Sequence, residues 1–188
     1  MIFGDSLSAN YGIPIEAGWV SLLTQRLLLK STDYRVVNAS ISGETTLGGR
    51  NRIQQVFNEH QPGIVILALG ANDGLRGATI QSIYNNLAAI IEFCQKNNAI
   101  VLLAGMQLPP NYGKNYTQKF QEIFRQLETR YQVKLIPFLL DGFGEKREFF
   151  QSDGIHPNET AQAIIVENVW KIMQSVINPE NLEVTSGG

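Results

Sequence analysis

The chain has 188 residues, 44% of them hydrophobic and 17% charged, the profile of one compact soluble domain with enough apolar material for a core. No run of about 18 apolar residues occurs, which excludes a membrane-spanning helix, and a net charge of −2 with the 15 Lys and Arg scattered argues against a nucleic-acid partner. Cys94 is the only cysteine, so an intramolecular disulfide and a thiolate metal cluster are excluded, and the residue reads as a small apolar side chain on the inner face of a helix.

Short apolar runs alternate with longer amphipathic segments in about five units, the pattern of a doubly wound α/β layer with a parallel sheet between helices. In chain order the expected elements are a strand at 1–3, a helix at 17–30, a strand at 35–38 and a helix at 49–60. A strand at 64–69 and a helix at 80–97 follow, then a strand at 100–103, a helix at 116–131, a strand at 133–136 and a last helix at 159–177. Ile83, Leu87, Ile90, Ile91 and Cys94 recur at the three-and-four spacing of a core-facing stripe. Pro109 and Pro110 in 107–114, and Gly142 and Gly144 in 141–146, mark two loops expected to be long or mobile. Residues 178–188 are polar and aperiodic, a tail beyond a domain expected to span 1–177. Before the first motif stand Met1, Ile2 and Phe3, with no charged n-region or apolar h-region. No signal peptide is visible, but a cleaved leader leaves no trace, so the compartment stays open.

In open parallel sheets ligands bind beyond the carboxyl ends of the strands, so the segments that follow them are where chemistry should collect. Those segments are Gly4-Asp5-Ser6 after the first strand, Ala39-Ser40-Ile41-Ser42-Gly43 after the second and Gly70-Ala71-Asn72-Asp73 after the third. Ser6 is the natural nucleophile at a strand-to-loop junction, although a serine there also serves as a cap. Backbone N–H groups of Ser6 and Gly43 and the side-chain amide of Asn72 would supply three donors to an oxyanion. Gly43 and Asn72 also suit ordinary turn or capping duties. Only two histidines are present. His60, in Glu59-His60-Gln61-Pro62, reads as a helix-terminal residue complementing the helix dipole. His156 follows Asp153 by three residues, and Gly154 between them permits a turn that brings the carboxylate to one ring nitrogen and leaves the other facing outward. The same segment also reads as a turn with Asn158 as helix N-cap.

Gly4-Asp5-Ser6-Leu7, Gly43, Gly70-Ala71-Asn72-Asp73 and Asp153-Gly154-Ile155-His156-Pro157 resemble, in order, the four blocks of the SGNH (GDSL) hydrolases. More narrowly, the runs from Asn38 to Thr45, from Asn72 to Gly77 and from Leu108 to Gly113 are similar to the thioesterase I/lysophospholipase L1/arylesterase branch. The resemblance extends over nearly the whole chain. It implies a three-layer α/β/α sandwich around a central five-stranded parallel sheet, flavodoxin-like in topology. It further implies that Ser6, Gly43, Asn72 and His156 take the four block roles and that Asp153 completes a triad. Ala71 stands where the branch often carries a second glycine, a change that leaves Asn72 in place. The first strand is short for its position, as expected of a chain that lacks either native residues extending it or a leader that exports it. Members of the branch are often periplasmic or secreted, and the resemblance implies such a location.

On this reading the substrate is a small-molecule acyl ester or thioester, cleaved through an acyl-serine without metal or organic cofactor. By position and analogy, Leu7, Leu75, Met106, Leu108, Tyr112 and Ile155 are expected to wall the acyl groove, while Met106 and Leu108 equally suit a place in the core. Two rival readings are a carbohydrate O-deacetylase on the same catalytic frame and a non-catalytic binding module on a flavodoxin-like layer. An acidic residue, Asp5, where a nucleotide binder would need a phosphate-cradling glycine loop, disfavours the binding module. Sequence leaves the oligomeric state undetermined.

Overall fold

The computed structural model describes residues 1–30 and 34–177. The expected tail at 178–188 lies outside the described residues. Four strands, β1 (Ile2–Gly4), β2 (Ile64–Ala68), β3 (Ile100–Ala104) and β4 (Lys134–Ile136), form a parallel sheet in the order β1-β2-β3-β4. Six helices accompany them: α1 (Trp19–Leu29), α2 (Thr46–His60), α3 (Ala71–Leu75), α4 (Ile80–Lys96), α5 (Lys114–Tyr131) and α6 (Glu159–Ile177). None of the described helices is long and apolar enough to cross a membrane.

The central strands read as unbroken apolar runs because both of their faces are covered. All five residues of β2 are buried. On one side α1 packs on α6, and on the other α2 packs on α4 and α4 on α5. Trp19, Leu23 and Leu27 of α1 are buried, as are Ile165, Val169 and Met173 of α6. On α4 the expected stripe of Ile83, Leu87, Ile90, Ile91 and Cys94 is fully buried. Burial pushes the Cys94 thiol up to about 12, so it behaves as an apolar residue.

The expectation of five strands is corrected at the sheet edge. Residues 35–38 make one isolated parallel bridge, Asn38 to Ile2, in place of a strand. The chain still runs beside β1: Ile2 N–H donates to Val37 O (2.8 Å), Ala39 N–H to Ile2 O (2.9 Å) and Ile41 N–H to Gly4 O (3.0 Å). The Asn38 side chain ties this segment to the loop after β1, donating from Nδ2 to Ser8 O (2.8 Å) and accepting at Oδ1 from Ser40 N–H (3.2 Å). With this segment counted, the spatial order is that of a flavodoxin-like sheet, in which the winding direction reverses between β1 and β2.

Two helical segments depart from the sequence reading. α2 begins at Thr46 rather than at residue 49, because Thr45 Oγ1 accepts from Gly48 N–H (3.2 Å) and caps the helix early. The short α3 was not anticipated; five residues carry too little periodicity to register. The two loops flagged by Pro and Gly contain a one-turn 3-10 helix at Pro110–Tyr112 and a turn in which Phe143 is buried.

Gly49 shows how closely α2 approaches the sheet, since a Cβ at this position would lie 2.6 Å from Leu69 Cδ1 and 3.2 Å from Phe3 Cε1. Helix propensity alone favours alanine over glycine by about 1 kcal/mol, whereas overpacking costs about 1–3 kcal/mol. Gly49→Ala should therefore lower the unfolding free energy by about 1 kcal/mol in chemical denaturation; a more stable variant would show that the contact relaxes freely.

Candidate active site

The chain leaves β1 at Gly4 and coils at once. Ser8 and Ala9 N–H groups donate to Asp5 O (3.1 and 3.0 Å), and Leu7 N–H donates to the Asp5 carboxylate (3.0 Å). Ser6 is thereby set on a tight turn at the carboxyl edge of the sheet. A second loop meets it there. Residues 149–158 fold back on themselves through an antiparallel bridge between Phe150 and Pro157, with Gln151 N–H donating to His156 O (2.8 Å). At the tip, Asp153 Oδ1 accepts from Ile155 N–H (2.8 Å) and His156 N–H (3.0 Å), and Asp153 Oδ2 lies 2.7 Å from His156 Nδ1. His156 Nε2 lies 2.9 Å from Ser6 Oγ.

These contacts set the proton positions. A carboxylate only accepts, so Nδ1 carries the hydrogen, Nε2 is the free lone pair and the Ser6 hydroxyl donates to it. Burial works to raise the Asp153 pKa, but the N–H groups of His156 and Ile155 and the imidazole more than offset it and hold the carboxyl at about 2. The Tyr11 ring covers the imidazole at a centroid distance of 4.2 Å. Such a relay lets the imidazole take the hydroxyl proton as the oxygen attacks an electrophile. Asn158 serves the alternative reading at the same time: its Oδ1 accepts from Thr160 N–H (3.1 Å) and Ala161 N–H (3.3 Å), capping α6.

Beside the relay, three donors expected at an oxyanion are gathered by one side chain. Asn72 Nδ2 donates to Asp5 Oδ2 (3.2 Å) and to Glu44 O (3.0 Å), the immediate neighbours of Ser6 and Gly43. Ser6 N–H and Gly43 N–H have no acceptor among the described residues, which leaves both available to a ligand oxygen. The Asn72 amide is already engaged twice and would share a hydrogen with such an oxygen. Gly43 sits at φ +77°, a left-handed conformation costly for other residues, and Arg76 Nη2 donates to its carbonyl (3.2 Å).

Two buried acids frame these donors. Asp73 accepts from Thr46 N–H (2.9 Å) and Thr46 Oγ1 (2.6 Å), joining α3 to the start of α2. Asp5 is 1% exposed, and burial pushes its carboxyl up to about 6 against the opposing pull of the Leu7 N–H, the His156 charge and the Asn72 amide. From below, Arg52 pairs with Glu44 (2.5 Å) and lies over the Phe3 ring (4.0 Å). Asp5, Asp73, Tyr11 and Glu44 were quoted within motifs or passed over, with no role assigned. For the three acids the signal is chemical, since a carboxylate that becomes buried must find partners; Tyr11 carries no such signal.

Of the expected groove walls, Leu7 and Leu75 are half-buried and Tyr112 and Ile155 exposed, whereas Met106 and Leu108 are buried in the core. The last two are therefore corrected: Leu108 fills the space beside Gly74 of α3, and neither forms an open wall. Tyr112 donates from its hydroxyl to Leu75 O (3.1 Å), latching its loop to the end of α3. Exposed apolar side chains near the site also include Tyr11 and Ile41 on its loops and Leu47 in the first turn of α2. His60 sits in the last turn of α2, as expected, at the opposite edge of the sheet. There it helps line a cavity of about 380 Å³ with Met1, Leu27, Tyr34 and Ile64, remote from the relay. Among the described residues no group of three His, Cys, Asp or Glu side chains is gathered to hold a metal.

Residues 2–164 match the model of the GDSL-like lipase/acylhydrolase family. The chain is 42% identical over 177 residues to Esterase TesA of Pseudomonas aeruginosa, covering 94% of this chain and 88% of that protein. It is 39% identical over 181 residues to Thioesterase 1/protease 1/lysophospholipase L1 of Escherichia coli strain K12, covering 96% of this chain and 86% of that protein. Among solved structures, a crystal structure of TesA superposes with a TM-score of 0.91 at 42% identity, covering 93% of this chain and 97% of the other. With this extent of likeness in sequence and fold, the chain belongs to the GDSL-like lipase/acylhydrolase family.

Proposed function

We propose that the protein is a serine esterase that hydrolyses acyl esters and thioesters through an acyl-serine. The observation that carries this reading is the continuous relay from Asp153 through His156 to Ser6, with contacts of 2.7 and 2.9 Å. Ser6 Oγ attacks the carbonyl carbon while His156 Nε2 takes its proton, and Asp153 stabilises the imidazolium. The carbonyl oxygen, now anionic, is received by the N–H groups of Ser6 and Gly43 and by the Asn72 amide. As the tetrahedral adduct collapses, the imidazolium gives its proton to the departing alcohol or thiol. Water then attacks the acyl-serine with His156 again as base, releasing the carboxylic acid and restoring the serine. Residues 1–177 form the hydrolase domain in this reading.

Both bond types are supported by relatives, one named an esterase and the other a thioesterase and lysophospholipase. The exposed apolar side chains Tyr11, Ile41 and Ile155 on the rim loops, with Leu47 in the first turn of α2, favour an extended acyl chain over the acetyl group of a sugar. A series of para-nitrophenyl esters from acetate to palmitate tests this, with turnover expected to persist through medium and long chains. Confinement of turnover to acetate would favour the deacetylase.

Ser6→Ala should abolish ester hydrolysis while far-ultraviolet circular dichroism stays that of the parent; undiminished turnover would remove the serine mechanism. Asn72→Ala should lower kcat by about 10²-fold, the usual loss for one oxyanion donor, and a parental kcat would take the amide out of the oxyanion site. Folding lowers the Asp153 pKa from 3.8 to about 2, so its charge contributes stability that is present above pH about 4 and lost as pH falls through about 2. Asp153→Asn should accordingly be less stable than the parent at neutral pH, with the gap closing at acid pH. A gap independent of pH in denaturation curves would show that the charge is not what the loop uses.

A further inference from the structure

The relay spans two loops that no strand ladder joins: Ser6 lies in 5–12, and Asp153 and His156 lie in 149–158. Besides the Ser6–His156 contact and the Tyr11 ring, one side chain ties them together. Gln151 Nε2 carries two hydrogens and spends both, one on Tyr11 O (2.8 Å) and one on Pro157 O (3.1 Å). Its backbone N–H donates to His156 O (2.8 Å). The residue therefore grips the loop of the nucleophile and, on either side of one peptide unit, the loop of the base.

The surroundings of Gln151 are shaped to this contact. A Cβ on residue 12 would lie 2.2 Å from Gln151 Oε1, so only Gly12, at φ +71°, lets the amide rest against the Ser6 loop. On the other side, the Arg147 guanidinium donates to the carbonyls of Phe150 (3.2 Å), Gln151 (2.5 Å) and Ser152 (2.8 Å). Arg147 thus holds the backbone of Gln151 while its amide reaches across. Neither residue touches Ser6 or the ring nitrogens of His156.

We propose that Gln151 is a positioning residue that docks the His156 loop on the Ser6 loop and sets the approach of His156 Nε2 to Ser6 Oγ. This rests on the serine-esterase reading above. Without the amide, the joined loops lose the bond that fixes their separation, and a misplacement of about 1 Å in such a pair costs about 10²-fold in rate. The loss falls mainly on the chemical step: of the apolar side chains offered to an acyl chain, Tyr11 and Ile155 ride on the two joined loops, whereas Ile41 and Leu47 lie on other segments.

The test compares the parent with Gln151→Met, similar in length but without donors, and with Gly12→Ala, which pushes the amide away from the opposite side. Ester hydrolysis and the rate of Ser6 phosphonylation by a small alkyl fluorophosphonate are measured together, with thermal unfolding as the control for folding. Both variants should lose kcat by about tenfold or more with KM changed less than about twofold, and phosphonylation, which needs the same Ser6–His156 pair but no acyl groove, should slow in parallel. A folded Gln151→Met with parental kcat and phosphonylation, or with KM alone raised, overturns the positioning role. Ser6→Ala, run beside them, separates the two readings: if it is inactive while Gln151→Met is parental, the positioning role alone fails, and if it is active both fail.

Discussion

The reversal of winding between β1 and β2 is the constraint on which the rest of this molecule depends. Right-handed crossovers send α1, which follows β1, to one face and α4, which follows β2, to the other, so the loops after β1 and β2 part and leave a crevice between them. Ser6 follows the first strand and Asn72 the second. The edge segment beside β1, bonded through Ile41 N–H to Gly4 O, delivers Gly43 to the same place. Three stretches of chain far apart in sequence meet there because the sheet has only one such point.

What keeps that meeting point rigid is polar and largely buried. Asp5, Asn72 and Glu44 O form one set of bonds, and Asp73, Thr46 and Asn86 another. A buried carboxylate without donors would cost several kcal/mol. Here each carboxylate oxygen has one, and the same bonds orient the N–H groups offered to a substrate. The raised pKa of Asp5 marks the tension in this arrangement, since its ionised form is held in an apolar setting at neutral pH. The outer loop from 149 to 158 is built differently. Its Asp153 is partly exposed, and while Phe149 and Phe150 anchor its base on Phe143, its tip gains its order from the hydrogen bonds of Arg147 and Gln151.

Helices and central strands were legible because their signals are repetitive and local. The stripe from Ile83 to Cys94 needs only the spacing of apolar residues, and the last helix was anticipated with the bounds it has, Glu159–Ile177. The strand expected at 35–38 is reduced to one bridge with Ile2: its apolar residues suit a strand, but a single edge pairing with β1 is all the fold gives it, and the Asn38 side chain turns instead to Ser8 O and Ser40 N–H. Met106 and Leu108 show a related limit. An apolar residue near a site can wall a groove or close a core, and only the neighbouring elements α3 and α5 select between these.

The sequence by itself determined the chemistry on offer: a serine, two histidines of which one follows an aspartate by three residues, and rim segments whose residue types match a hydrolase pattern. Local geometry follows from such short spacings, which is why the Asp153–His156 pair was readable. Tertiary structure alone decided which partners complete them across long separations. The bond between Ser6 and His156 joins residues 150 apart, and that between Asp5 and Asn72 spans 67. Such contacts depend on where each loop emerges from the sheet, and Gln151, whose side chain reaches from one loop to another, has no local signature at all.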